Sequence, residues 1–416
     1  HHALHEWIAQ DPNEANVFEN GFLNQFKAAQ ANLKINAQNG MPGTFAYNGF
    51  SGQQPLPIFE AAFASEETSP YAAADYSNGT YINYLNQGRA GSMAGTLDTI
   101  FGNAPYYCNL VGASFGPCAN TIGYTGAGAG YPINVFQANP YMSGQGTGLM
   151  NDTGYGNFNA LQIELRQNNW HGMQFDANYQ WAHGLGIEPN NNWTGDTALF
   201  TLRDPRLNYG PTLFDIRQSF HISGTYDLPF GNGKRFLNSD NPVLNRVVGG
   251  WTIGTIITYQ TGQPFQVNGG YATFNDHADG GVLFQGVTNS QLQSAVGVYH
   301  TTNTYANGIT PQYLNTNGRA ANPQYLLPNT TPGAIGYHTW LYGPHFSNTD
   351  VAITKTTPIR ENLRFVFQGE FLNAFNHPNW LIGNGNIRSS SFLHANVINN
   401  NTVGARQIQL RASIEF

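Results

Sequence analysis

Apolar and polar residues alternate with a period of two in seven stretches of the chain, each marking a strand with one apolar and one polar face. The last stretch, 404–416, sets Leu410, Ala412, Ile414 and Phe416 against Gln409, Arg411, Ser413 and Glu415. In 155–167, Leu161, Ile163 and Leu165 alternate with Gln162, Glu164 and Arg166. In 172–183, Phe175, Ala177, Tyr179 and Trp181 alternate with Gln174, Asp176 and Asn178. The intervening NNWHG holds the Asn and Gly expected of a hairpin turn. Phe220, Ile222 and Tyr226 carry a strand over 215–228, and Trp251, Ile253, Ile257 and Tyr259 one over 249–261, with Ile256 out of pattern. The stretch 347–357 is weaker, resting on Val351 and Ile353. In 361–376, Phe365, Phe367 and Phe371 oppose Arg364, Gln368 and Glu370.

Strands of this length fit either a tilted crossing of a bilayer or a soluble β-sandwich. The connections discriminate. With Phe416 at the periplasmic end, 168–171, 229–248 and 358–362 fall inside. The connections 184–214, 262–346 and 377–403 fall outside, with everything before about 155. All the inner connections are then shorter than any outer one, as in transmembrane barrels. A sandwich has no reason to sort them so. The expected fold is all-β, a transmembrane antiparallel β-barrel spanning 155–416. Residues 1–154 are expected to form an extracellular loop region with a short helix near 18–33, where Phe22, Phe26 and Leu33 share a face. Leu161, Ile163, Leu165, Phe175, Tyr179, Phe220, Ile222, Ile253, Ile257, Phe365, Phe367, Leu410 and Ile414 should then face lipid. Gln162, Glu164, Gln174, Asp176, Gln368, Glu370, Gln409 and Arg411 should face the lumen.

Composition favours the same reading. Only 10% of residues are charged, while aromatics reach 13% and glycines number 48. That is too little charge for an ordinary soluble surface and too much aromatic content for disorder. The mean hydropathy of −0.36 suits a barrel, whose lumen and loops dilute its apolar face. No apolar run is long enough for a transmembrane helix. A net charge of −7 without Lys/Arg clusters argues against nucleic acid.

Candidate chemistry is sparse. Cys108 and Cys118 could be a metal or redox pair, but their spacing is wrong for CxxC, and two cysteines in an exported loop read as a disulfide. GAGAGY at 126–131 lacks the flanking strand and helix of a phosphate loop. GNGKR at 231–235 reads as a tight periplasmic turn. Asp204, Arg206, Asp215 and Arg217 either form ion pairs at the barrel rim or touch a ligand. NAFNHPN at 373–379 ends a strand. The chain shows no HExxH and no credible paired carboxylates, so no enzyme activity, cofactor or metal is expected.

The segments NFNALQIELRQNNWHGMQFDANYQWAHGL, DPRLNYGPTLFDIRQSFHISGTYDLPFGNGKRFL, GGWTIGTIITYQTGQPF, LRFVFQGEFLNAFNHPNW and RQIQLRASIEF resemble, in this order, the Oar-like TonB-dependent receptors of acidobacteria and myxobacteria. EANVFENGFLNQFKAAQANLKIN also resembles an extracellular segment of that family. Its members carry a signal peptide, a carboxypeptidase-regulatory-like β-sandwich, a plug and a 22-stranded barrel. The resemblance implies that this chain is the C-terminal third of such a barrel in the outer membrane of an acidobacterial-type Gram-negative cell. It implies as partners outer-membrane lipid, the barrel assembly machinery, the TonB complex acting through an upstream plug, and an unknown small-molecule, glycan or peptide ligand. The final strand is similar to the assembly signal of such barrels, with Leu410, Ala412, Ile414 and Phe416 as the recognised face. The expected function is ligand uptake. The alternatives are an outer-membrane adhesion protein and a soluble secreted β-rich binding protein.

Overall fold

The computed structural model describes residues 2–10, 12–63, 72–99, 106–142, 149–187, 199–301, 310–314, 326–397 and 404–416. Eight antiparallel strands follow one another across a single sheet. They are β1 His2–Gln10, β2 Leu149–Trp170, β3 Met173–Ile187, β4 Gln218–Asp227, β5 Trp251–Gln260, β6 Phe346–Arg360, β7 Leu363–Leu372 and β8 Gln407–Glu415. A short ninth strand, Tyr209–Pro211, lies against the end of β3. The sheet is open: among the described residues its edges, β1 and β8, do not pair with each other. Each of the seven stretches read from the sequence forms a strand of this sheet. The first of them, β2, extends well beyond 155–167 in both directions.

Connections alternate between the two ends. β2–β3, β4–β5 and β6–β7 are joined at one end, the first through Asn169, His171 and Gly172, all at positive φ (47°, 52° and 83°). Asn and Gly enter the left-handed region at least cost, which is what so tight a reversal needs. The longer connections 11–148, 188–217, 261–345 and 373–406 share the opposite end.

The reading of 1–154 as loops with one short helix is corrected here. Residues 2–10 form β1, an edge strand of the sheet. The following segment is a helical lobe: α1 Phe22–Gln38, α2 Pro57–Phe63, α3 Ala72–Asp75, α4 Gly79–Asn86, α5 Ala90–Leu97, α6 Tyr106–Val111 and α7 Gly116–Ile122. Its core is aromatic. Phe22, Phe26, Phe45, Phe59, Phe63, Tyr107, Phe115 and Phe136 are almost fully buried, and Phe22 packs edge-on against Phe136 at 5.4 Å. The expected helix near 18–33 is α1, which begins at Phe22 and runs on to Gln38. The shorter helices gave no sequence signal because a helix of one or two turns shows too little of a 3.6-residue period. They are stable by tertiary packing rather than by propensity.

Cys108 and Cys118 are joined in a disulfide between α6 and α7, closing a loop with a sequence separation of 10. Cross-links of this length stabilise by roughly 2–3 kcal/mol. Cys108→Ala with Cys118→Ala should therefore lower the unfolding midpoint of the helical lobe, measured by calorimetry on the full chain. An unchanged midpoint would remove the bridge from the lobe's stability.

A second lobe grows from the β5–β6 and β7–β8 connections. Val267, Val282, Leu292, Leu326, Leu341, Ile387, Phe392 and Leu393 form its core. Short two-stranded pairings frame it, Pro264–Val267 with Thr339–Tyr342 and Val282–Phe284 with Leu326–Pro328. The two lobes are pressed together. A Cβ on Gly91 would lie 1.9 Å from Asn275 O, and one on Gly95 would lie 2.8 Å from the Asp276 Cβ. Only glycine at both positions lets α5 seat on that backbone. Glu14 reinforces the contact by accepting from Thr201 Oγ1 (2.9 Å), Leu202 N (3.2 Å) and Asn275 Nδ2 (2.8 Å).

Candidate functional site: the polar face and its rim

Directly opposed residues of an antiparallel ladder point to the same face, so the register sorts the side chains. Ile163 opposes Tyr179, Tyr179 opposes Phe220, and Phe220 opposes Tyr259. Leu161 opposes Trp181 and Leu165 opposes Ala177; Phe175 joins them two positions along. Ile222 opposes Ile257, and Ile253 opposes Ile353. Phe365, Phe367 and Gly369 oppose Ile414, Ala412 and Leu410. The whole apolar set therefore shares one continuous face across seven strands. None of it belongs to a buried core cluster; Leu161, Ile163 and Leu165 are 55%, 54% and 59% exposed. A packed sandwich would bury them. Phe416 stands one residue past β8, fully exposed.

The opposite face carries Gln162, Glu164, Gln174, Asp176, Gln368, Glu370, Gln409 and Arg411. Gln368 opposes Arg411, and Glu370 opposes Gln409. Gln162 Nε2 donates to Gln180 Oε1 at 3.1 Å, and Gln174 Nε2 to Thr225 Oγ1 at 2.9 Å. Arg166 bridges Glu164 (2.6 Å) and Asp176 (2.9 Å). A cavity of about 650 Å³ lies on this side, with Arg166 and Asp176 of β2 and β3, Ser223 and Thr225 of β4, and Glu370 of β7 in its lining. One cavity touching strands from β2 to β7 requires the sheet to curl, with the polar face on the concave side. Ile256, out of pattern in the sequence, sits here as an apolar patch in the same cavity.

At the long-connection end the rim is tied by a cluster that sequence reading only half assembled. Asp215 is fully buried and lies 3.1 Å from His183 Nδ1. It accepts from Gly184 N at 2.9 Å and from Tyr342 OH at 2.5 Å. Arg217 Nη1 stands 3.9 Å from the same carboxylate. Burial and the facing Asp215 push the Tyr342 hydroxyl up to about 12, so it donates throughout the physiological range. Asp204 and Arg206 are apart from this group and pair with each other at 2.9 Å on the surface. His183 and Tyr342 escaped the sequence reading because they come from β3 and from a short strand pair in a distant connection. Only the folded register brings them to Asp215.

Two further groups are held by burial. Asp98, on the lobe interface, lies against Gln137 Nε2, which donates to it. Burial first, and the charge of Asp276 second, hold its carboxyl well above the usual carboxylate range. A folded-state pKa above the unfolded one means that stability is lost as pH rises from that usual range toward the raised value. Asp98→Asn keeps the shape and removes the charge. The variant should gain thermal stability over the parent as pH rises out of the usual carboxylate range; a difference that shrinks with rising pH would contradict this. Asp75 is also buried and accepts from Tyr106 OH at 2.8 Å. Among the described residues no three His, Cys, Asp or Glu side chains are grouped to hold a metal ion, and no helix is long and apolar enough to cross a membrane.

These features define a membrane-barrel wall: one apolar face without a core on it, one concave polar face, and the large connections all at one end. The family described as outer membrane beta barrel domain matches residues 71–409, and the chain belongs to it. It is an outer-membrane protein, and its strands are transmembrane strands. The match runs through α3–α7 and through the three outer connections that follow β3, β5 and β7, so most of the helical lobe lies within the barrel region rather than before it. A comparison with the curated proteins found no match.

Proposed function

We propose that the chain is part of a TonB-dependent receptor of the Oar-like kind, in an acidobacterial-type Gram-negative cell. It captures a ligand with its outer lobes and passes it along the polar face of a plugged barrel. The observation that carries this reading is the arrangement of two cored lobes over a concave polar wall. A barrel that served only as a membrane anchor would need neither the charged, hydrogen-bonded interior face nor a cavity on it. The sequence resemblance supplies the energy coupling, through TonB and an upstream plug. Outer-membrane lipid contacts the apolar face, and the barrel assembly machinery reads the strand of Leu410, Ala412, Ile414 and Phe416. An unpaired edge such as β8 is a template for strand addition. The reading assigns the chain no catalysis, no cofactor and no nucleic-acid partner.

A second reading is favoured by the helical lobe, whose own core and disulfide suit a protein-binding or glycan-binding surface module. Energised cells of a deletion strain and its complement separate the two. Uptake of a radiolabelled nutrient that requires the gene and collapses with a protonophore supports the receptor. Surface binding that needs the gene but is indifferent to the protonophore, with no uptake, supports adhesion instead.

A further inference from the structure

A second, smaller cavity of about 300 Å³ opens at the rim where β5 ends and β6 begins. Its position follows from the register. Gln260 opposes Phe346, and both lie on the polar side of the sheet, two residues beyond the Thr258–Asn348 pair. Beneath them Gly262 and Gly343 cross so closely that a Cβ on Gly262 would lie 1.9 Å from Gly343 O. Glycine at position 262 is what allows the two connections to meet as a floor.

The wall is held as firmly. Asn379 is fully buried, accepts from Ser347 N at 2.8 Å and donates through Nδ2 to Ser347 O at 3.1 Å. That two-way clamp fixes the next residue, Trp380, beside Phe346. The strand Trp380–Ile382 is braced by Ala395–Val397. Phe265 completes the aromatic lining, and Gln260 and Gln263 supply carboxamides. Neither carboxamide has a hydrogen-bond partner among the described residues, in contrast to Gln266, which bonds to His338. The lining contains no Asp, Glu, Lys or Arg.

We propose that this cavity binds one pyranose ring of a neutral saccharide, as an entry subsite for the ligand. The chemistry selects the class. A sugar ring has an apolar C–H face, which packs on an indole or phenyl ring, and an edge of hydroxyls that both donate and accept. A carboxamide is the side chain that can donate and accept in one plane. Aromatic walls with a few placed polar groups are the usual make-up of a small-molecule pocket. A carboxylate, phosphate or ammonium ligand would lose its hydration here without gaining a countercharge. The volume admits a single ring and not a large chelate. As an entry subsite the proposal rests on the receptor reading above; as a binding site it stands alone, and the two are tested by different readouts.

The test uses the full chain in an amine-oxide detergent, which avoids competition from sugar-based detergents. Neutral gluco-, manno-, galacto- and xylo-oligosaccharides are titrated calorimetrically beside the corresponding uronates. The expected result is binding of at least one neutral saccharide, at least tenfold weaker in Trp380→Ala and several-fold weaker in Gln263→Ala. Gln263 is exposed, so its truncation leaves the fold intact and keeps the test valid if Trp380→Ala is unstable. The proposal is overturned if no neutral saccharide binds, if uronates bind better, or if Gln263→Ala binds as the parent does. Binding without gene-dependent uptake of the same sugar would leave the subsite standing and sink the receptor reading.

Discussion

Leu410→Arg should block assembly of the protein into the outer membrane, whereas Gln409→Arg, one residue away, should be tolerated. The two positions alternate in β8. Leu410 opposes Gly369 on the apolar face, and Gln409 opposes Glu370 on the polar face. Bilayer hydrocarbon cannot solvate a guanidinium, and an Arg at a lipid-facing midplane position costs roughly 2–4 kcal/mol. On the polar face the same side chain meets water and the Glu370 carboxylate, beside Arg411, which the protein already carries there. The first substitution also disrupts the apolar set of the final strand. Ile257→Arg separates these causes, because Ile257 lies in the middle of the sheet between Ile222 and Thr349. Heat-modifiable migration of the membrane fraction reads the outcome. Both Leu410→Arg and Ile257→Arg should reduce the folded band, and Gln409→Arg should not. Equal folding of all three would contradict the assignment of faces.

The second large effect belongs to the outer lobe and to acid. His338 stacks on Phe200 with ring centroids 3.5 Å apart. Gln266 Nε2 donates to its Nδ1 at 3.2 Å, so the ring carries its proton on Nε2, a buried atom without a hydrogen-bond partner among the described residues. A second proton would place a donor against the Gln266 donor, and burial opposes the charge. Burial lowers its pKa to about 4. A histidine depressed in the folded state contributes stability that is present above the unfolded value near 6.5 and lost as pH falls toward 4. The loss amounts to about 3 kcal/mol at the acid end, at 1.36 kcal/mol per pKa unit. Hydrogen exchange in Val282–Phe284 and Thr339–Tyr342 should therefore quicken by about two orders of magnitude between pH 7 and pH 4, beyond the intrinsic pH effect. His338→Phe keeps the stack and removes the titration, and should flatten that dependence. A variant as acid-sensitive as the parent would place the effect elsewhere.

How much of this was legible in the sequence follows from the period of each element. The strands β2–β8 were legible because each repeats apolar residues at every second position, and one wrong step in register would send Ile163 or Phe367 to the polar face. Even the weakest, β6, formed between two strong neighbours, since its ladder with β5 and β7 supplies what Val351 and Ile353 alone do not. β1 escaped notice, because HALHEWIAQ mixes its polar and apolar positions. The helical lobe was hidden for another reason. Apart from α1 its helices are short, and Gly and Asn between them read as loop, although Asn78 accepts from Thr80 N as an N-cap and Gly123 ends α7 at φ 67°. Those residues punctuate helices as readily as they build turns. At the rim, Asp215 and Arg217 were visible as charges in sequence. Their partners His183 and Tyr342 were not, because contacts between distant connections leave no local pattern.

The central claim is that this sheet is a barrel wall with lipid on the apolar face and water on the other. It is tested most directly on β5, between two paired neighbours. The native chain has no free thiol, so single cysteines at Ile253, Gly254, Thr255, Ile256, Ile257 and Thr258 can each carry a nitroxide in reconstituted protein. Collision rates with oxygen, which partitions into lipid, and with a water-soluble nickel chelate should alternate residue by residue and out of phase. Oxygen should dominate at Ile253, Thr255 and Ile257, and nickel at Gly254, Ile256 and Thr258. Alternation of that phase is the predicted result. The reverse phase, or low accessibility to both reagents along the apolar face, would contradict the account.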